Sequence, residues 1–192
     1  MLSTISLKKK LLLIAVSLSL LFIVLSTRYF LYVRCNVIEQ QQYGLEPNIK
    51  FIGSIINNHY QGYLDGELSL VEAQQKSIKE IHQINLRSKN YVFVFNDDYL
   101  LLESINNVAM LNKNVKNEIN ISGVKLYQLL RTEAVYQHNS GYSSYFYYGN
   151  ANREQQLKIS YSQYFSSWGW TYGEGVYINE IDDSIINMLI SN

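Results

Sequence analysis

Residues 11–33 constrain this chain more than any other stretch. Leu11 to Leu25 is apolar apart from Ser17 and Ser19, and after Ser26, Thr27 and Arg28 the apolar character resumes from Tyr29 to Val33. A helix needs about 20 residues to cross the hydrocarbon core of a bilayer, and this run is long enough. Lys8, Lys9 and Lys10 precede it, while Tyr29, Phe30 and Tyr32 sit where an aromatic belt would lie. The lysines favour an inside N-terminus; Arg28 and Arg34 on the far flank weaken that preference without reversing it. The expected layout is a cytoplasmic residue 1–10 segment, a single membrane span at 11–33, and an extracytoplasmic domain at 34–192, periplasmic or extracellular, held on the cytoplasmic (inner) membrane. A cleaved signal peptide shares the basic and apolar regions. The absence of an A-x-A cleavage site and the length of the run favour the uncleaved anchor.

The remaining length suits one domain. The formal net charge is zero, so no basic field points to nucleic acid. The single cysteine, Cys35, cannot form an internal disulfide and excludes a multi-cysteine zinc site. A tolerated or buried thiol is favoured over an intermolecular bridge. His59, His82 and His138 are scattered, with no H-E-x-x-H or C-x-x-C-H around them. Asp97-Asp98 falls at a turn, where such residues are favoured for backbone reasons, rather than in a catalytic pair. No cofactor, metal or enzymatic activity is expected. The 17 tyrosines combine apolar area with a polar tip and suit either a core or a pocket.

Beyond the span, Ile49, Ile52, Ile56, Tyr60 and Tyr63 recur at helical spacing within residues 37–64. Pro47 either kinks this helix or marks its start after Gly44, and Asp65-Gly66 ends it. Ser69 and Glu72 form a capping box for a second helix that stops near Asn85. Residues 91–95 and 99–102, joined by Asn96-Asp97-Asp98, read as a hairpin. Residues 106–120 are asparagine-rich and read as a loop, and 122–136 as a helix. Three strands follow at 142–148, 157–165 and 170–177, with a turn at 149–152, and a closing amphipathic helix at 178–190. The expected fold class is α+β: a sheet meander with helices on one side, its inserted helix giving a PAS-like five-stranded antiparallel sheet.

Three stretches carry a family resemblance. One is Tyr60 to Gly66 followed by Leu68 to Gln75. A second is Leu86-Arg87 leading into Tyr91 to Asp97. The most specific is Leu157 to Phe165 with Trp168-Gly169-Trp170, Gly173, Gly175-Val176-Tyr177 and Ile181-Asp182. Together they resemble a single Cache domain of the type-two subfamily, found in bacterial chemoreceptors and sensor kinases. The chain departs from the family where a His-Pro pair usually follows the second strand; Glu103-Ser104 stands there, with Asn106-Asn107 behind.

The resemblance implies a pocket for a small organic molecule, often a short carboxylate, between the sheet and its covering loops. Arg87 and Lys158 occupy the family's basic positions, and Tyr91, Tyr145, Tyr161 and Trp168 are the further candidates. The packing alternatives are that Arg87 caps its helix end, Lys158 is a solvated strand residue, and Trp168 fills core. Strand alternation puts Lys158, Ser160 and Ser162 on one face and Ile159, Tyr161, Gln163 and Phe165 on the other. Lys158 and Tyr161 therefore cannot both enter one pocket from a regular strand. The resemblance also implies a signalling or chemotaxis role and a homodimer along the N-terminal helix. With the sequence ending at Asn192 and no second apolar span, output is expected through a missing module or a separate signalling partner. The rival expectation is a ligand-free envelope interaction protein.

Overall fold

The computed structural model describes residues 6–88, 91–148 and 155–190. The Gly149–Asn152 turn lies outside the described residues. Helix α1 spans Leu7–Leu64. Its 58 residues, at ~1.5 Å each, make it roughly 87 Å long, so the apolar span and the domain share one rod. None of the apolar window is buried against protein, which is the condition of a helix whose partner is lipid.

Pro47 does not mark a helix start after Gly44, because α1 runs unbroken through both residues. Proline removes one backbone N–H and crowds the carbonyl four residues back. Leu45 and Ile49 on either side are 1% and 0% exposed, and this burial holds both turns on the sheet. Helix α2, Leu70–Asn85, carries the expected capping box: Glu72 N donates to Ser69 Oγ at 3.3 Å, and Ser69 N donates to Glu72 Oε2 at 2.9 Å.

The strands are β1 (Phe93–Asn96), β2 (Leu101–Glu103), β3 (Ser140–Tyr148), β4 (Gln155–Phe165) and β5 (Trp170–Tyr177), with helix α3 (Leu126–Tyr136) between β2 and β3 and α4 (Ile178–Ile190) at the end. They form one antiparallel five-stranded sheet in the order β2-β1-β5-β4-β3. The chain is thus not a plain meander, since β1 pairs with β5 across the whole insertion.

Nor are the helices on one side. Leu45, Ile49, Ile52 and Ile56 of α1, Ile81 of α2 and Ile181 and Ile185 of α4 pack with Val94, Tyr161, Trp170, Tyr172 and Val176 on one face. On the other, Leu126, Tyr127 and Leu130 of α3, with Val115, cover Phe93, Phe95 and Tyr145. Two faces buried by two layers explain why β5 is buried along its whole length.

Helix α3 begins four residues later than the sequence pattern implies. Asn120 Oδ1 accepts from Ser122 N and Val124 N, each at 3.0 Å, and Gly123 has a φ of +76°. An asparagine that closes its own turn competes with helix formation, so residues 120–125 become a loop in which Asn120 alone is buried.

Candidate functional site

The α3-facing side of the central strands is floored by small residues. Ser143, Ser160, Ser162, Gly173 and Gly175 follow one another across β3, β4 and β5 by their pairing register. The two glycines are required there. A Cβ on Gly175 would strike Ser160 Oγ and stand 2.6 Å from Lys158 Cε, and one on Gly173 would stand 2.6 Å from Phe93 Cζ. The low floor gives the Lys158 stem and the Phe93 ring room to lie flat.

Lys158 pairs with Tyr145 on β3 and Tyr177 on β5. It is 4% exposed. Its Nζ sits 4.8 Å from the Tyr177 ring centroid and 5.6 Å from that of Tyr147, within cation–π range. Burial pushes its pKa down to about 8, while the charges of Glu174 and Glu180 act in the opposite direction. Near neutral pH this amine is protonated and only partly compensated, and a protonated amine in that position favours an anion.

Lys158, Tyr91, Phe93, Asn106, Tyr127 and Tyr145 meet around a small cavity of about 20 Å³, room for roughly one water. Tyr91, Asn106, Leu126, Tyr127 and Tyr147 also line a neighbouring cleft of about 760 Å³ under residues 105–120. Tyr145 shares a 2.7 Å hydrogen bond with Ser160 Oγ, and the Tyr177 hydroxyl donates to the Tyr148 carbonyl at 2.6 Å. Desolvation raises the pKa of Tyr127, Tyr145, Tyr147 and Tyr177, so the wall presents neutral hydroxyls. The amide nitrogen of Asn120 is buried with no hydrogen-bond partner among the described residues, and the Asn106 side chain bears on the Tyr177 hydroxyl. The lining therefore holds one ammonium, several hydroxyls, amide groups and the exposed Glu118 carboxylate, and its Lys158 end suits an oxygen-rich anion.

The structure brings Lys158, Tyr145 and Tyr91 together and sets the other three candidates apart. The register of β4 is unbroken, so Tyr161 faces α1, where its ring lies 4.7 Å from Tyr142. Trp168 packs on Tyr60, Phe165 and Trp170 at the β4–β5 turn. Arg87 is exposed just past the end of α2.

The departure at Glu103-Ser104 also divides. Ser104 lines the small cavity. Glu103 turns to α2, where it accepts from Asn85 Nδ2 at 2.9 Å and lies 3.1 Å from His82 Nδ1. The sequence reading missed Asn106, Asn120, Tyr127 and Tyr147. The density of asparagine in 106–120 was the available signal, and it reads equally well as ordinary loop chemistry.

Comparison with known proteins places this geometry in a family. Three solved structures share the fold. A periplasmic sensor domain of a chemotaxis protein aligns with a TM-score of 0.68 at 18% identity, covering 73% of this chain and 96% of that one. A Cache chemosensory domain solved for its carboxylic acid recognition gives 0.67 at 19%, covering 74% and 96%. A methyl-accepting chemotaxis protein from Vibrio parahaemolyticus RIMD 2210633 gives 0.64 at 18%, covering 79% and 98%. The model of the single Cache domain 2 family matches residues 37–191. From the middle of α1 through α4, the chain belongs to the single Cache domain 2 family of ligand-binding sensor domains.

Proposed function

We propose that this chain is a membrane-anchored extracytoplasmic sensor that takes a small carboxylate in the cleft, its charged end turned into the small cavity at Lys158. The observation that carries the reading is the buried amine of Lys158 in a cavity lined by neutral groups, beside a larger cleft whose one carboxylate, Glu118, is not in the Lys158 cavity. Held out of water, an ammonium gains most from a partner that supplies both charge and hydrogen-bond acceptors. A carboxylate does so, and one structural neighbour recognises carboxylic acids.

Lys8, Lys9 and Lys10 would keep the N-terminus inside, leaving the Cache domain outside. Ligand binding would bias how the sheet sits against α1, which continues into the span. A ligand shifts such an equilibrium only by its difference in affinity for the two arrangements. Output would pass to a signalling or chemotaxis module, in a separate partner or further along the receptor, through a homodimer along α1.

The test is thermal shift of the full chain in detergent micelles against acetate, propionate, pyruvate, amines and amino acids. Carboxylates should raise the melting temperature, Lys158→Met should remove the rise, and Arg87→Ala should keep it. A folded chain that responds to none of the panel contradicts the reading and favours a ligand-free interaction role.

A further inference from the structure

The cleft adjoins the small cavity at Lys158, and its wall away from that cavity has its own chemistry. Asn120 is 8% exposed and lines the cleft without touching the small cavity at Lys158. Its amide orientation is fixed, because Oδ1 already accepts from Ser122 N and Val124 N at 3.0 Å. The Nδ2 group is therefore the free end, and it has no partner among the described residues. A buried donor without an acceptor is costly, so this wall calls for an oxygen from the ligand. Asn106, whose side chain bears on the Tyr177 hydroxyl, lines both the cleft and the cavity and stands between the two ends.

Glu118, an exposed carboxylate, bears on which oxygen that is. It lines the same cleft, and its charge adds to burial, the larger cause, in pushing up the pKa of the Tyr147 hydroxyl. A second carboxylate at the Asn120 end would meet that negative charge. A hydroxyl accepts from an amide and donates to a carboxylate or a tyrosine oxygen, so it satisfies both neighbours. We infer that the ligand is a polyhydroxylated monocarboxylate of the sugar-acid class, its carboxylate inward at Lys158 and its hydroxyls outward, with Asn120 as the residue that selects the hydroxylated chain. This rests on the carboxylate reading of the Lys158 site.

The experiment is calorimetry on the full chain in detergent micelles with gluconate and hexanoate, which share six carbons and one carboxylate and differ in hydroxyls. Gluconate should bind on the order of ten-fold more tightly, the scale of leaving buried donors unpaired. Asn120→Ser keeps an oxygen that can close the turn and removes the NH₂. It should bring gluconate down to the hexanoate level and leave hexanoate unchanged. Hexanoate binding as well as gluconate, or an Asn120→Ser variant that weakens both alike, overturns the inference. Binding of acetate or propionate that Lys158→Met abolishes, with no gluconate binding, overturns it while the carboxylate site stands. A folded chain that binds none of these acids overturns both.

Discussion

A methyl group on Gly175 would stand 2.6 Å from Cε of Lys158. The lysine lies where it does because the neighbouring strand carries no side chain there. Gly175→Ala must displace the Lys158 stem or the Ser160 side chain, and overpacking of a filled interior costs about 2 kcal/mol. Gly44 is the contrast: it lies inside α1, and a Cβ there meets nothing within 4 Å. Gly44→Ala should stabilise by roughly 0.5–1 kcal/mol. Urea unfolding of the two variants in micelles measures both, and equal effects would mean that the lane beside Lys158 is not tight.

Lys158 gives the domain a stability–pH signature. Its folded pKa of about 8 lies below the ordinary lysine value of 10.5. Between those limits the unfolded chain binds more protons than the folded one, so stability rises with pH. Below about 8 the penalty is fully present. Lys158→Met removes the buried charge, so the ligand-free variant should melt higher at pH 7, by an amount reflecting roughly 1–3 kcal/mol. It should also lose the rise between pH 8 and 9.5. Melting curves across that range decide it; a variant less stable than the parent at pH 7 would mean that the charge is compensated in the folded state.

Asn85 holds the entry to the sheet. Its Nδ2 donates to the Val92 carbonyl and to Glu103, and its Oδ1 accepts from Val92 N at 2.8 Å. Asn85→Ala strands both backbone groups of a buried residue together with part of the buried Glu103 carboxylate. The expected loss is about 2–3 kcal/mol, read by urea unfolding, with ligand affinity unchanged because this network faces α2.

Arg34 ties the start of the domain to its last helix. Its Nε donates to Asp182 Oδ1 at 2.6 Å and its Nη2 to Oδ2 at 3.1 Å. Both side chains are about one-third exposed, so Arg34→Ala should cost under about 1 kcal/mol of stability. It should nonetheless speed amide exchange in α4 and leave exchange in β4 and β5 untouched, which hydrogen-exchange mass spectrometry resolves.

Local chemistry was legible in the sequence. The long apolar helix followed from the run at Leu11 to Leu25, the start of α2 from Ser69 and Glu72, and the separation of Lys158 from Tyr161 from strand alternation. What depended on distant partners was not. The pairing of β1 with β5 joins segments separated by the whole insertion, and no local pattern encodes it. Pro47 reads as a break until the burial of Leu45 and Ile49 is known. Asn120 reads as an ordinary loop residue until its turn fixes which end of the amide is free. The basic residue at 87 and the tryptophan at 168 matched a family pattern, but position in a pattern does not say which face of the fold a side chain meets.

The most direct test of the carboxylate site is proton uptake on binding. Calorimetry of a bound carboxylate at pH 8, repeated in buffers of different ionisation enthalpy, counts protons taken up by the complex. With the Lys158 pKa at about 8, half of the empty sites are neutral there, and binding should draw in about half a proton per site. Uptake should approach one as the pH rises toward 9, and affinity should fall in step. Binding with no proton uptake, or binding that survives Lys158→Met, would contradict the carboxylate site.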